Sequence, residues 1–327
     1  MMKKILLLLI AICLCSCSRG DDADTNNGSL DEKESVIEYH DVVNNTSFVE
    51  DNYDEYIKFY GLFDTDKLIE LVNDDILTEN TKDKLVVLYS SEYFVDRLED
   101  TYLKYLDDYS SSRELLEIVN TNRYKPLYSD ITVTDLSKGN LMLINKYHQL
   151  PSDYEPDDLV DIDSEYGWGM TREEVYDAFV RLADDAYLDG YVLTVCSAYR
   201  SYDYQDGLYN KYLDEEGGDV AAVDSYSARP GHSEHQSGLC LDLVTPGYSM
   251  DDFGLSEASD WVNENCYKYG FIVRYTAEKE NITGYEAEAW QIRYVGDEDI
   301  AKYIMDTGIT FDEYYTCFVE WKIKSNL

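Results

Sequence analysis

The segment SEHQSGLCLD at 233–242 places a histidine and an aspartate, His235 and Asp242, seven residues apart. Gly238 lies between them, and an apolar, strand-like run begins at Leu239. A neutral imidazole and a carboxylate oxygen form a donor pair that suits zinc better than calcium or magnesium. This spacing therefore predicts two metal ligands on a loop that runs into a strand.

Two further segments supply the other groups of a hydrolytic metal site. EAWQIRYVG at 288–296 carries a carboxylate, Glu288, two residues before Trp290, and SAYRSY at 197–202 carries an isolated cation, Arg200. A carboxylate beside an aromatic side chain, in a partly dry setting, is suited to act as a general base. The alternative is that Glu288 is a surface residue. The sequence thus predicts that ligands, a base and a cation meet in one site.

Three blocks of the chain resemble the VanY-type D-alanyl-D-alanine carboxypeptidases, zinc peptidases of the fold group that includes lysostaphin and the hedgehog signalling domain. The blocks are SAYRSYDYQDGLYN at 197–210, SARPGHSEHQSGLCLDL at 227–243 and TGYEAEAWQIRYVG at 283–296. NKYHQLPSDYEPDDLVDI at 145–162 is similar to the start of the family's domain. Ordered blocks are far more specific than one short motif. The resemblance implies an α+β fold, a compact hedgehog/D,D-peptidase-like domain with a central antiparallel sheet, preceded by a mainly helical region.

The resemblance also implies zinc as the cofactor and gives roles to individual residues. His235 and Asp242 match zinc ligands. Glu288 matches the base that deprotonates the attacking water and then protonates the leaving amine. Arg200 matches the arginine that binds the scissile carbonyl oxygen, a task for a fixed cation.

Further matches concern the substrate. Gln205 and Ser233 match positions that hydrogen-bond substrate, and Trp290 is assigned to the same binding group. The alternative is that these polar groups only satisfy nearby backbone. The function implied is a cell-wall zinc D,D-carboxypeptidase that removes the terminal D-alanine from peptidoglycan stem peptides.

Gln291 stands where the family has a third ligand histidine. A carboxamide oxygen is a weaker zinc donor than an imidazole nitrogen, so weaker zinc affinity is expected. Three arrangements are open: Gln291 ligates through oxygen, Cys240 supplies a thiolate from the strand face of Asp242, or His232 moves in from three residues before His235. Otherwise Cys240 is a buried small residue. The alternative function is a catalytically weak or inactive pseudopeptidase lipoprotein that binds stem peptides.

The N-terminus has two lysines followed by an apolar run at 5–14. This run is too short to span a bilayer as an ordinary helix and predicts a signal peptide at 1–16. Because the small residue Ser16 precedes Cys17, the site is typical of a bacterial lipobox. We expect Cys17 to carry the lipid and to anchor the protein outside the cytoplasm. The alternatives are a plain secretory signal and an uncleaved anchor.

The chain is strongly acidic, with 67 acidic against 27 basic side chains and a formal net charge of −40 at pH 7. Such a surface repels nucleic acid and anionic lipid headgroups. No nucleic-acid partner is therefore expected, and membrane attachment is expected to come from the lipid.

Composition and periodicity divide the mature chain into three parts. Residues 17–35 are small and acidic, which is typical of a disordered tether. Apolar spacing at 36–138 predicts a mainly helical module, with a helix starting at 111–112. Interleaved helices and strands predict a compact α+β domain at 139–327, which the resemblance implies is the zinc D,D-carboxypeptidase-like domain. Its strands are predicted at 141–144, 191–196, 239–244, 271–274 and 288–294, and its helices at 171–188, 202–215, 220–226, 256–269 and 297–307.

Overall fold

The computed structural model describes most of the chain from residue 80 onward and a few earlier positions: 67, 70, 71, 74, 76–78 and 80–320. The predicted signal peptide, tether and Cys17 lie outside these residues. The chain divides into two compact units, the second consisting of Val95–Leu98 and Leu116–Leu327. Residues 116–138 therefore belong with the C-terminal unit, whereas the sequence placed that boundary at 138/139.

The described part of the first unit contains helices that bury an apolar face. Leu88 and Tyr102 are fully buried there, and Tyr102 packs against Phe94 with 5.2 Å between ring centroids. The helix predicted to start at 111–112 is confirmed, since α3 begins at Ser112. In the continuous described range that begins at residue 80, the first α-helices are α1 (Lys82–Ser90), α2 (Glu99–Lys104) and α3 (Ser112–Asn120).

The second unit interleaves helices and short strands, and the predicted α+β class is confirmed. Its helices are α4 (Glu173–Leu188), α5 (Tyr202–Glu215), α6 (Val220–Tyr226), α7 (Glu257–Asn265), α8 (Glu280–Thr283), α9 (Glu298–Thr307) and α10 (Phe311–Tyr314). Its strands are β1 (Thr132–Val133), β2 (His148–Gln149), β3 (Leu159–Asp161), β4 (Met170–Arg172), β5 (Thr194–Ser197), β6 (Cys240–Val244), β7 (Phe271–Tyr275) and β8 (Glu288–Tyr294). Within the described ranges, no helix has the length and apolar character needed to cross a membrane.

The central sheet is antiparallel, with the strand order β5-β6-β8-β7. Asp242 of β6 lies opposite Ser197 of β5 on one side and opposite Gln291 of β8 on the other. Residues directly opposite in an antiparallel pair project from the same face. Ser197, Asp242 and Gln291 therefore form a polar row across three strands.

Strand alternation separates the core from the site along β6. Leu241 and Leu243 are fully buried in the hydrophobic core, together with Phe179 and Leu182 of α4. Because successive side chains point to opposite faces, Asp242 points to the other face of the strand. Burying each large apolar side chain contributes about 1.5–3 kcal/mol, which fixes the strand that carries this aspartate.

The strand predicted at 141–144 is wrong. A 3₁₀ helix spans Leu136–Leu141 with non-helical backbone at Gly139, and residues 142–144 are not part of any sheet. Met142, Leu143 and Ile144 are as buried as a core strand would be. The carbonyl oxygens of Met142 and Leu143 bind side chains instead of a neighbouring strand. Met142 O accepts from Arg293 at 2.9 Å, and Leu143 O accepts from Thr134 at 2.9 Å. Apolar content alone could not distinguish this segment from a strand.

Gly167 lies in close contact with β5. It has φ +137°, and a Cβ placed on it would be 2.2 Å from the carbonyl oxygen of Val195. Gly167→Ala is expected to displace β5, the edge strand of the central sheet, and to lower the free energy of unfolding by about 3 kcal/mol. Gly190→Ala is the control, because Gly190 has φ +98° but open space around it; about 1 kcal/mol is expected. Urea unfolding checks both, and equal losses would contradict the contact-based explanation.

Candidate active site

A cavity of about 440 Å³ lies beside the polar row of the sheet. Its walls bring together eight of the ten side chains that the sequence considered for metal binding, catalysis or substrate binding. Cys240 and His232 are the two that do not line it. The eight are Arg200, Gln205, Ser233, His235, Asp242, Glu288, Trp290 and Gln291.

His235 is held in a single 3₁₀ turn, Glu234–Ser237, which ends at Gly238 with φ +68°. Its Nδ1 lies 2.6 Å from the carbonyl oxygen of Ala198. Because a carbonyl oxygen only accepts, Nδ1 carries a proton, and in the neutral imidazole Nε2 then presents its lone pair. Nε2 lies 3.2 Å from Oδ2 of Asp242. Two ligands of one tetrahedral zinc ion, with bonds of about 2.0 Å, are separated by about 3.3 Å.

Asp242 is almost fully buried, with 1% of the residue exposed. Burial alone would raise the pKa of this carboxyl, but the protonated imidazole of His235 and the guanidinium of Arg200 beside it lower the pKa overall. Oδ2 accepts a hydrogen bond from Arg200 Nη2 at 2.6 Å. Oδ1 is buried without a hydrogen-bond partner in the described structure. A buried acceptor of this kind calls for a donor or a cation.

Arg200 lies three residues after the end of β5 and directly precedes the N-cap of α5, Ser201. Its guanidinium donates to Oγ of Ser197 at 2.7 and 2.9 Å and to Asp242. It is the one cation among the residues that line the cavity. A guanidinium held in this way is suited to stabilise negative charge on an oxygen atom.

Glu288 opens β8 opposite Tyr275 and lies partly buried in the cavity wall. Burial raises the pKa of this carboxyl to about 8, with a further upward contribution from Asp242 that Arg200 opposes. A group that exchanges its proton near neutral pH is suited to general acid and base catalysis.

The raised pKa of Glu288 predicts a pH dependence of stability. In the unfolded chain its pKa is about 4.5. As the pH rises from about 4.5 to 8, the unfolded state loses this proton first, so the carboxyl lowers stability over that window. Relative to wild type, metal-free Glu288→Gln is therefore expected to be more stable at pH 8 than at pH 5. Urea unfolding at both values checks this, and a pH-independent difference would contradict it.

The three predicted substrate-binding residues differ in their present contacts. Gln205, on α5, donates from Nε2 to Ala228 O at 2.8 Å, while its Oε1 is buried without a hydrogen-bond partner in the described structure. Ser233 is 5% exposed, and Trp290 packs partly on the core. Gln205 Oε1 and Asp242 Oδ1 are thus two unsatisfied acceptors on residues of the same cavity wall.

The three arrangements for the third ligand can now be compared. Cys240 is fully buried as a free thiol, and burial raises its pKa well above the usual range, which disfavours a thiolate. His232 donates a hydrogen bond from Nδ1 to Asn145 O at 2.7 Å, and its ring meets Tyr128 edge-on. Since a carbonyl oxygen accepts, Nδ1 is the donor. Neither residue lines the cavity, whereas Gln291 does.

A zinc ion fits these residues with one nitrogen and otherwise oxygen donors. His235 and Asp242 supply the first two, and the described residues contain no group of three or more His, Cys, Asp or Glu side chains placed to hold a metal ion. Gln291, which lines the cavity directly opposite Asp242, is a candidate for a third protein donor through its carboxamide oxygen. Zinc binds an imidazole nitrogen more tightly than a carboxamide oxygen. This set of donors is therefore expected to bind zinc more weakly than a set with a second histidine.

The sequence analysis did not identify several residues that line the cavity. Glu234 and Tyr285 could have been identified, because they lie inside the blocks that match the family. Tyr275 could also have been identified, because it follows a charged residue, Arg274, in an otherwise apolar strand. Asp251 lies on a loop and had no such signal. With Asp242, Glu286 and Glu288, the carboxyl groups of Glu234 and Asp251 bring the number in the cavity to five, against the one guanidinium of Arg200. Such a surface favours a cation.

A family model described as D-alanyl-D-alanine carboxypeptidase, VanY, matches residues 170–297. VanXYC of Enterococcus gallinarum, a bifunctional D-Ala-D-Ala dipeptidase and carboxypeptidase, is 35% identical over 163 residues, which cover 48% of this chain and 84% of that protein. This chain belongs to the VanY-type family. The match leaves the N-terminal part of the chain outside it.

Further similar proteins and solved structures extend the comparison. YodJ of Bacillus subtilis (strain 168), a carboxypeptidase by name, is 41% identical over 184 residues, covering 54% of this chain and 66% of that protein. The LdcB LD-carboxypeptidase structure is 37% identical, covers 58% of this chain and 92% of that one, and has a TM-score of 0.53. The structure of a VanY mutant in complex with Zn(II) is 30% identical, matches over 54% of this chain and 98% of that chain, and has a TM-score of 0.47.

Proposed function

We propose that this protein is a cell-wall zinc D,D-carboxypeptidase that removes the terminal D-alanine from peptidoglycan stem peptides. The observation that carries the proposal is the facing pair His235 Nε2 and Asp242 Oδ2, 3.2 Å apart in a cavity that also contains Glu288 and Arg200. Without a second proton on the imidazole, these two acceptors repel each other, and a cation between them removes the repulsion. Membership of the VanY-type family supports the same chemistry.

The reaction uses the side chains in defined roles. Zinc at this site would supply a Lewis acid that polarises the scissile carbonyl and lowers the pKa of water. Ionised Glu288 accepts the proton of the attacking water as its oxygen bonds to the carbonyl carbon. The same carboxyl then gives the proton to the leaving nitrogen as the C–N bond breaks. Arg200 stabilises the negative charge that develops on the carbonyl oxygen.

The unsatisfied groups of the wall suggest how the peptide binds. Gln205 Oε1, a buried acceptor, is placed to accept a peptide N–H, which removes the penalty for leaving it unsatisfied. Ser233 supplies a hydroxyl, and Trp290 an apolar surface, from the same wall. Because LdcB is an LD-carboxypeptidase, a tetrapeptide ending in an L,D bond is the second substrate class to assay.

Gln291 favours a second candidate function, a stem-peptide-binding pseudopeptidase. Its carboxamide replaces the nitrogen donor that would otherwise complete the site, while the peptide-binding wall is kept. Zinc content per chain separates the two functions, since about one zinc with D-alanine release supports the enzyme. Peptide binding without zinc and without release supports the binder.

Lipid modification at Cys17 is the proposed route to the membrane. Cys17→Ser is expected to move the protein from the detergent phase to the aqueous phase, because an acidic chain has no electrostatic attraction to anionic lipid. Cys15→Ser is the matched control and is expected to stay in the detergent phase. Phase partitioning and mass spectrometry of the N-terminus check this. A fully membrane-bound Cys17→Ser or a fully secreted wild type would refute it.

A further inference from the structure

Glu234, the residue before His235, lies in a buried ion network that the proposed reaction does not use. Its side chain is 1% exposed, and Oε1 accepts from Arg274 Nε at 2.9 Å and pairs with Arg293 Nη1 at 2.8 Å. Arg274 Nη1 pairs in turn with Asp312 Oδ2 at 2.8 Å. Both arginine side chains are 0% exposed. Two guanidinium groups thus balance two carboxylates inside the unit.

The network joins the turn of His235 to distant parts of the second unit. Arg274 belongs to β7, Arg293 to β8 and Asp312 to α10. Arg293 Nη2 also donates to the carbonyl oxygens of Asn140 and Met142, each at 2.9 Å. Glu234 is therefore fixed against two strands of the sheet, which are themselves tied to a helix and a loop far away in sequence.

The turn needs such anchors, because a 3₁₀ helix of four residues has few backbone hydrogen bonds of its own. On its other side, His235 is held by Ala198 O at Nδ1, and its carbonyl accepts from Arg200 N at 3.2 Å. The imidazole is consequently held between the network and the end of β5. Apolar residues would stabilise the interior at least as well as buried ions do, so stability alone gives no reason for this network.

We infer that Glu234 is a positioning residue: through Arg274 and Arg293 it fixes the backbone that places His235 Nε2 opposite Asp242. It thereby sets the affinity of the site for zinc. This inference rests on the proposed zinc function and adds a residue that neither binds zinc nor exchanges a proton in the reaction.

The experiment compares two isosteric substitutions within one network. Glu234→Gln removes the charge next to His235, and Asp312→Asn removes the carboxylate that reaches the turn only through Arg274. The zinc Kd of each purified full-length protein is measured by chelator competition, together with its Tm. Both variants are expected to have a lower Tm, but only Glu234→Gln is expected to bind zinc more weakly, by about 10–100-fold, as is typical when a group that orients a metal ligand is lost.

Several outcomes would overturn the inference. These are an unchanged zinc Kd in Glu234→Gln, or equal weakening in both variants, which would tie zinc affinity to global stability. In either case zinc binding by the wild type leaves the proposed function standing. A wild type that binds no zinc overturns both. If Glu234→Gln does not fold, Arg274→Lys, which keeps a cation opposite Glu234 but loses the planar fork, is expected to weaken zinc binding as well.

Discussion

Glu288→Gln is expected to abolish D-alanine release by the zinc-loaded protein while leaving its fold and zinc content unchanged. The carboxamide has nearly the same shape but cannot accept the proton of the attacking water. Loss of a positioned general base lowers turnover by about 10²–10⁴-fold. Zinc should remain bound, because Glu288 is not a ligand in the proposed site. Release of D-alanine under saturating peptide, with zinc measured on the same sample, provides the check.

Glu286→Gln is the matched control for that substitution. Glu286 lies in the same cavity wall two residues earlier, and its carboxylate accepts from Ser225 Oγ at 2.7 Å. Its removal is expected to leave turnover largely intact, because it has no part in the proton transfers. If Glu288→Gln releases D-alanine at the rate of the wild type, or if both variants lose the same fraction of that rate, Glu288 is not the general base.

Gln291→His is expected to tighten zinc binding by about tenfold or more and to raise D-alanine release. The substitution puts an imidazole nitrogen directly opposite Asp242, where the carboxamide is a weaker donor. Chelator competition gives the zinc Kd, and D-alanine release gives the activity. Tighter zinc without any turnover would instead indicate a cleft rebuilt for binding alone.

Cys240→Ala, alone and combined with Gln291→His, completes this comparison. Because Cys240 is buried away from the cavity walls, Cys240→Ala is expected to keep the zinc content of the wild type. If Cys240→Ala loses zinc and the double variant regains it, the thiolate is the third ligand after all. No zinc in any of the four proteins would reject the metal site itself.

The sequence predicted the local parts of this structure well. Helix α5 and strand β8 have the predicted bounds, Tyr202–Glu215 and Glu288–Tyr294. The members of the site were also predictable, since they lie in three short blocks whose order matches a known family. His235 and Asp242 are joined by a single turn and a strand, so their proximity follows from local geometry.

Long-range hydrogen bonds account for what could not be predicted. Met142 lacks a strand neighbour because its carbonyl accepts from Arg293, 151 residues away. The network of Glu234 depends on Asp312 in a helix that no motif connects to the site. The pairing of Asp242 with Gln291 likewise depends on sheet register, which the periodicity of either strand alone leaves open.

D-alanine release from a stem pentapeptide by the wild-type full-length protein, with one equivalent of zinc and again after chelation, tests the central claim most directly. The zinc-loaded protein is expected to release D-alanine, the chelated protein to release none, and added zinc to restore the activity. A protein that holds zinc and binds the peptide yet releases no D-alanine from pentapeptide or tetrapeptide would contradict the enzyme and favour a stem-peptide binder.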